Sequence, residues 1–195
     1  MYETHWSEHP MEWIQYRKEQ NDKAIESRIL GLEETAWPGA AQESFPAAAD
    51  TYVLSLVLLD SDMAVCHVGI RKKELVHKEI DYMAYGLSEV VTHPAYRRRG
   101  LGTQMLRRAA DFILSQRPDI SIFTCAPKYA AFYGSAGWQT ARGASLVGGL
   151  SAAPFRSDSL GLVTMIRWIS DKGIAHKKDF EDTDIVLELG ENQLW

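Results

Sequence analysis

Apolar positions recur along this chain with two different periods, and the switches between them mark out its elements. Near the start, Trp13-Ile-Gln-Tyr16 is long enough for a short strand. After Asn21, the positions Ala24, Ile25, Ile29, Leu30 and Leu32 return close to the helical period, which predicts a helix capped by Asn21 and stopped by Trp37-Pro-Gly39. Residues 40–50 read as a connecting loop or short helix. From Thr51 the pattern turns to β-rich runs: Thr51–Leu59, closed by Asp60-Ser-Asp62, then Met63–Ile70 and Tyr82–Thr92, with strand ends and a charged turn over 71–81. These predict an antiparallel meander.

Pro94 stops that ladder. Over Gly100–Gln116 the helical period returns, with Leu101, Met105, Leu106, Ala109, Ala110, Phe112 and Ile113 on one face and Arg107, Arg108 and Asp111 outside. Ser121–Cys125 reads as a strand, residues 129–135 as a short helix stopped by Gly137, and a further strand starts near Trp138. The Gly-, Ser-, Ala- and Pro-rich stretch 147–161 reads as a loop, and Leu162–Trp168 as the last strand. The expected fold class is mixed α/β (α+β), a single domain over 1–168 followed by an acidic tail over 169–195.

With 46% apolar residues in 195, one sizeable core can form. The formal charge of −5 argues against a general nucleic-acid binder and is compatible with a cationic small molecule or a basic peptide. Cys66 and Cys125 each sit in an apolar run and read as packing thiols rather than a disulfide. The opening Met-Tyr-Glu-Thr-His-Trp lacks the basic start and apolar run of a signal peptide. No stretch approaches the roughly 20 apolar residues that span a bilayer. A cytoplasmic protein with no membrane partner is expected.

The chemistry concentrates in Glu89-Val-Val-Thr-His-Pro-Ala-Tyr-Arg-Arg-Arg-Gly-Leu-Gly-Thr103, a β-run leading through a basic loop into glycines that open a helix. A helix start leaves about four N–H groups unpaired and carries about half a positive charge. Gly100 and Gly102 remove side chains that would hold a phosphate away, and Arg97, Arg98 and Arg99 add charge beside them. Such an assembly suits a diphosphate. The nucleotide P-loop spacing is absent, and Met105 stands where a dinucleotide fingerprint needs its third glycine.

Arg97-Arg-Arg-Gly100-Leu-Gly102 resembles the Arg/Gln-x-x-Gly-x-Gly/Ala signature of GNAT acetyltransferases. Ala126-Pro-Lys-Tyr-Ala-Ala-Phe-Tyr-Gly-Ser-Ala-Gly-Trp138 resembles the family's downstream block, in the same order and spacing. The resemblance spans roughly Met11 to Trp168. It implies a sheet whose two parallel central strands splay apart, with acetyl-CoA as cosubstrate in the cleft. Backbone groups of Val90, Val91 and Thr92 would hold the pantetheine, and amides of Arg97, Arg98, Arg99, Gly100, Leu101, Gly102 and Thr103 the pyrophosphate. By the same resemblance, Tyr133 would protonate the departing thiolate, and a backbone amide at Val91 or a neighbour would stabilise the oxyanion.

An alkylammonium has a pKa near about 10, so the enzyme must accept its proton, directly or through water, before the lone pair can attack. Glu89 is the candidate base. In related enzymes the strand carboxylate tends to lie an odd number of residues before the signature arginine, whereas Glu89 lies eight before Arg97, which turns it to the wrong face unless a bulge intervenes. Ser88 with a water is the substitute. His93 reads as structural, His67 as a core histidine, and no histidine spacing suggests a metal site.

Within the superfamily the chain is most similar to aminoglycoside 2′-N-acetyltransferases, on Cys66-His67, on Phe132–Trp138 and on the acidic end in Leu-Trp. That likeness implies an acceptor site reached by Trp195 and its carboxylate, walled by Trp37 and Phe45, with Asp158 as a loop acid; Gln193 stands where the family has a further acid, and the residues alone equally allow Trp37 and Phe45 as plain core and the tail as a solvated cover for a sheet edge. The expected partner is a small cationic amine, and relatives suggest a homodimer. The competing expectations are a protein N-terminal or lysine acetyltransferase, and a CoA-binding sensor without catalysis.

Overall fold

The computed structural model describes residues 10–39, 45–46, 50–150, 152–190 and 193–195; most of the predicted 40–50 connection lies outside them. The first strand, β1 (Glu12–Tyr16), leads through a short turn to helix α1 (Lys23–Glu34). The cap of α1 is Asp22, whose carboxylate accepts from the Ala24 and Ile25 amides at 2.9 and 3.2 Å. Asn21, one residue earlier, is left-handed (φ 49°) and closes the preceding turn instead.

Strands β2 (Tyr52–Asp60), β3 (Met63–His77) and β4 (Ile80–Thr92) form the antiparallel meander. The two long ones run further than the charged residues over 71–81 suggest, because the alternation persists: Leu75 and Tyr82 face each other across the ladder, both buried. Only Lys78 and Glu79 are left to turn the chain, both at positive φ, as the twist of a two-residue hairpin requires. Helix α2 (Leu101–Ser115), strand β5 (Ile120–Cys125), helix α3 (Ala130–Gly134) and strand β6 (Gln139–Thr140) follow. Leu54, Leu56 and Leu58 of β2 pack into the core that holds Met105, Leu106, Ala109 and Ile113 of α2. The intervening Val57 and Leu59 pack with Ile29 and Leu32 of α1. The two helices therefore cover opposite faces of one sheet.

The region beyond residue 141 departs most from expectation. The small-residue stretch forms a hairpin, β7 (Ser145–Leu150) and β8 (Ala153–Arg156), before β9 (Val163–Trp168). The acidic segment is built into the core: it forms helix α4 (Asp171–Ala175) and strand β10 (Asp184–Val186), and Phe180, Ile185, Leu187, Leu189 and Trp195 are buried. The main sheet runs β1-β2-β3-β4-β5-β9-β6, and β10-β7-β8 make a second, three-stranded sheet. Among the described residues no helix is long and apolar enough to cross a membrane.

Candidate active site

Strands β4 and β5 are parallel neighbours, but they pair only at Ala84–Ile120 and Tyr85–Ser121. Beyond that point they diverge, while β5 stays fully paired with β9 on its other side. The gap is the floor of a cleft of about 960 Å³. It is lined by Ser88, Glu89 and Val90 of β4, by Phe123–Cys125 of β5 and by Tyr133 of α3. Glu33 and Glu34 approach from α1, Trp37 from the turn after it, and Phe155, Leu160, Leu194 and Trp195 from the C-terminal region.

β4 carries a bulge at the mouth of the splay: Gly69 faces Ser88, His67 faces Val91, and Glu89-Val90 stand opposite Val68 alone. Glu89 is left-handed there (φ 48°), a strained position for a non-glycine residue. The bulge is the irregularity on which the facing of Glu89 was conditional, and it brings Glu89 and Ser88 over the same spot of β3. A Cβ on Gly69 would lie 2.6 Å from Glu89 Oε2 and 2.7 Å from Ser88 Oγ, so this strand glycine is where two side chains cross the neighbouring backbone. Both side chains are held by the buried Arg71. Its Nη2 donates to the two Glu89 oxygens at 3.0 and 3.1 Å, and its Nε to Ser88 Oγ at 2.7 Å. Arg71 escaped the sequence reading. The available signal was the period-two run His67-x-Gly69-x-Arg71, a polar face in an otherwise apolar strand.

The same face carries His67, 1% exposed, with Nε2 2.8 Å from Ser55 Oγ. Its Nδ1 lies 3.1 Å from Glu33 Oε1, but no hydrogen-bond partner lies along its N–H direction. The expected core histidine thus sits directly behind a cleft-facing carboxylate. His93 fills its structural role by accepting from the Ala95 amide through Nδ1 at 3.3 Å.

On the opposite wall Tyr133 is 8% exposed and packs edge-on against Phe123 and Phe132, and Phe123 in turn against Trp138. Burial, with smaller contributions from Cys125 and Tyr129, pushes its phenol well above the ordinary value, so it holds its proton at any working pH. Burial also lifts the Cys125 thiol to about 11, which keeps it a neutral thiol at neutral pH. Both cysteines are free.

The end of β4 leads into the glycine segment. The His93 amide donates to Val65 O on β3. Main-chain groups alternate sides along a strand, so Val91, opposite His67, also faces β3, and Thr92 and Val90 turn theirs toward the splay. This assigns the cleft-facing backbone to the neighbours of Val91 rather than to Val91, whose side chain is buried on the α1 side. A short turn, Pro94–Tyr96, follows, and Arg97 Nε donates to Thr92 O at 3.0 Å. Arg98 (φ 61°) and Gly100 (φ 77°) are left-handed. Gly100 caps α2 with no side-chain hydrogen bond, so the first amides of the helix, over Leu101, Gly102 and Thr103, have no side-chain acceptor from the cap. Arg97, Arg98 and Arg99 are exposed around this end, and Arg99 stacks on Tyr96 at 5.0 Å. Gly102 has a packing reason: a Cβ there would stand 3.2 Å from Thr92 Oγ1 and 3.6 Å from Phe132.

Trp195 lies at the apex of the splay, 6% exposed. Its main-chain oxygen accepts from Thr124 N at 2.6 Å and Thr124 Oγ1 at 2.5 Å, and its indole covers Gly86, where a Cβ would overlap the ring. Trp37, 44% exposed, lines the cleft, whereas Phe45 packs on Tyr16 and Tyr52. Asp158 is not among the cleft-lining residues. It is bound to Arg156 at 2.9 and 3.0 Å, and that guanidinium, against a smaller opposing effect of burial, holds the carboxyl down at about 2. Among the described residues no group of histidine, cysteine and carboxylate side chains could hold a metal ion.

A mixed sheet splayed beside a glycine-opened, arginine-flanked helix defines a class of acyl-group transferases. The family model described as an acetyltransferase (GNAT) domain matches residues 14–141. The chain belongs to the GNAT acetyltransferase family. Its fold is similar to Escherichia coli ElaA (15% identity, 81% of this chain and 99% of that one, TM-score 0.60) and to an acyl-CoA N-acyltransferase from Pseudomonas aeruginosa (16%, 81% and 99%, TM-score 0.59). It is also similar to a GCN5-related N-acetyltransferase from Kribbella flavida (16%, 68% and 34%, TM-score 0.51). No curated protein matches.

Proposed function

We propose that this protein uses acetyl-CoA to acetylate the primary amine of a small cationic molecule by direct transfer, in a cytoplasmic setting that suits its free thiols. The observation that carries the reading is the splay itself. It opens a cleft between the backbone edge of β4, around Val90, and a buried phenol, at Tyr133. The cosubstrate fits the residues present. The α2 amides with Arg97, Arg98 and Arg99 suit its pyrophosphate, and the Val90 and Thr92 main chain suits its pantetheine amides. When bound, it supplies an acetyl thioester.

The chain's own groups then divide the work. Glu33, Glu34 and Glu89 draw the ammonium into the cleft. Glu89, aimed by Arg71 and by its own left-handed backbone, receives the proton, with the adjacent Ser88 available to hold a water. The Val90 N–H donates to the oxygen that gains negative charge. Tyr133, kept protonated by burial, donates to the leaving sulfur. The likeness to aminoglycoside 2′-N-acetyltransferases is supported by Trp195, which reaches the cleft, and not by Asp158, which is tied to Arg156. The test is calorimetry with acetyl-CoA alongside thiol release in a panel of amines. Binding with turnover is the expected result, and absence of acetyl-CoA binding would refute the assignment.

A further inference from the structure

The acceptor end of the cleft is largely a hydrocarbon surface. Leu30 and Trp37 form one wall, Phe155, Leu160 and Leu162 the other, and Leu194 runs beside the Trp195 floor. Two of the hydroxyls that line it are already hydrogen-bonded. Ser88 Oγ receives Arg71 Nε, and Thr124 spends both its amide and its hydroxyl on the Trp195 carbonyl.

The charged lining among the described residues consists of Glu33, Glu34 and Glu89, with neither lysine nor arginine. Glu89 has both oxygens on Arg71, Glu33 stands beside His67, and Glu34 Oε1 accepts from the Gly39 amide at 2.8 Å. The local charge therefore attracts a cation. A further ammonium or hydroxyl placed between the Trp37 and Leu160 walls would lose its water against leucine and aromatic side chains, whereas an apolar body gains on burial.

We propose, resting on the acetyltransferase reading above, that the acceptor is a monoamine: one ammonium carried on an aromatic or branched aliphatic body, in place of a polyamine or an aminosugar. The ammonium lies toward Glu33 and Glu89. The apolar body lies between Trp37 and the C-terminal wall, where Leu160 and Phe155 set its size.

The experiment compares 2-phenylethylamine, spermidine and kanamycin as acceptors, following thiol release from acetyl-CoA, with acetyl-CoA affinity measured separately by calorimetry. The expected result is a kcat/KM for 2-phenylethylamine at least about tenfold above either polycation. Leu160→Asp changes a half-exposed side chain that the fold can spare. It should erase that preference by about tenfold and leave acetyl-CoA affinity unchanged. Trp37→Ala, also well exposed, is the second variant and should raise the KM for 2-phenylethylamine alone. Equal or better use of spermidine or kanamycin overturns the proposal. So does failure of 2-phenylethylamine to react although acetyl-CoA binds. Failure of acetyl-CoA to bind is a different result, which removes the acetyltransferase reading on which this one stands.

Discussion

The two sides of the cleft are made of different materials. On the cosubstrate side, the recognition groups proposed above are main-chain amides and carbonyls at Val90, Thr92 and the start of α2, exposed by a strand that loses its neighbour and by glycines that withhold side chains. On the acceptor side the recognition groups are side chains, and they come from distant places: Glu33 and Trp37 from α1 and its exit, Phe155 and Leu160 from the hairpin region, Trp195 from the far end of the sequence. Backbone recognition needs a fixed local conformation and therefore leaves a compact sequence motif. Side-chain recognition needs only that packing bring remote residues together. The family match, residues 14–141, covers the first side and stops short of the C-terminal wall.

The two sides meet where Trp195 lies on Gly86, and the largest predicted effect breaks that joint. A Cβ on Gly86 would overlap the Trp195 ring and stand 2.9 Å from the Ile122 carbonyl oxygen, which is backbone and cannot step aside. Gly86→Val should expel Trp195 from the apex and cost about 3 kcal/mol, the upper range for overpacking a core. Urea unfolding measures the loss. An unchanged midpoint would mean that the indole is not wedged between the strands. Next in size is the chemistry itself. Tyr133→Phe should lower kcat about a hundredfold, equivalent to about 2.7 kcal/mol, with acetyl-CoA affinity within about twofold of wild type. A full rate in the variant would return Tyr133 to a purely packing role against Phe123 and Phe132.

A smaller effect is expected where the C-terminal region is fastened to the core. Asp119, just before β5, accepts from the Met83 amide, Ser170 Oγ and Lys172 Nζ, all within 2.8 Å. Burial alone would raise this carboxyl, but the hydrogen bonds from Lys172, Ser170 and Met83 outweigh it and hold it below its ordinary 3.8. A depressed folded value stabilises the fold above the unfolded value. The contribution is lost as pH falls through the folded one. Asp119→Asn should therefore cost about 2 kcal/mol at neutral pH, the scale of hydrogen bonds to a charged group. The gap between variant and wild type, followed by denaturation at several pH values, should hold down to about pH 4 and close beneath it. A gap that persists unchanged at pH 2 would show that the charge contributes nothing.

The same division explains what could be read from the sequence. The meander, α2, β5, α3 and β9 were legible because each carries its own period or breaker. The glycine segment was legible because its function is local. The hairpin β7–β8 was not, since Gly148, Gly149 and Pro154 look like a loop until β10 supplies a partner from some 40 residues away. In the acidic segment the surface charges concealed the buried Phe180, Ile185, Leu187 and Leu189. Strand parity alone turned Glu89 away from the cleft, and the bulge that reverses this is visible only in the register against β3. Arg71, which holds Glu89 and Ser88, left only the period-two polar run of its strand as a signal, and Glu33 belongs to a helix whose apolar pattern gave no chemical signal.

The smallest predicted effect isolates backbone recognition from everything else. Gly100 sits at φ 77° with nothing within 4 Å of where a Cβ would be, so Gly100→Ala meets no steric obstacle and only the left-handed backbone resists it. The cost to stability should be about 1 to 2 kcal/mol. If the α2 amides hold the pyrophosphate, relaxation of that strain also tilts them off their ligand, and acetyl-CoA affinity should fall about tenfold by calorimetry, with the relative use of different acceptor amines unchanged. Loss of stability with affinity intact would separate the helix start from the cosubstrate. A shift in acceptor preference would show that the two sides of the cleft are not recognised independently.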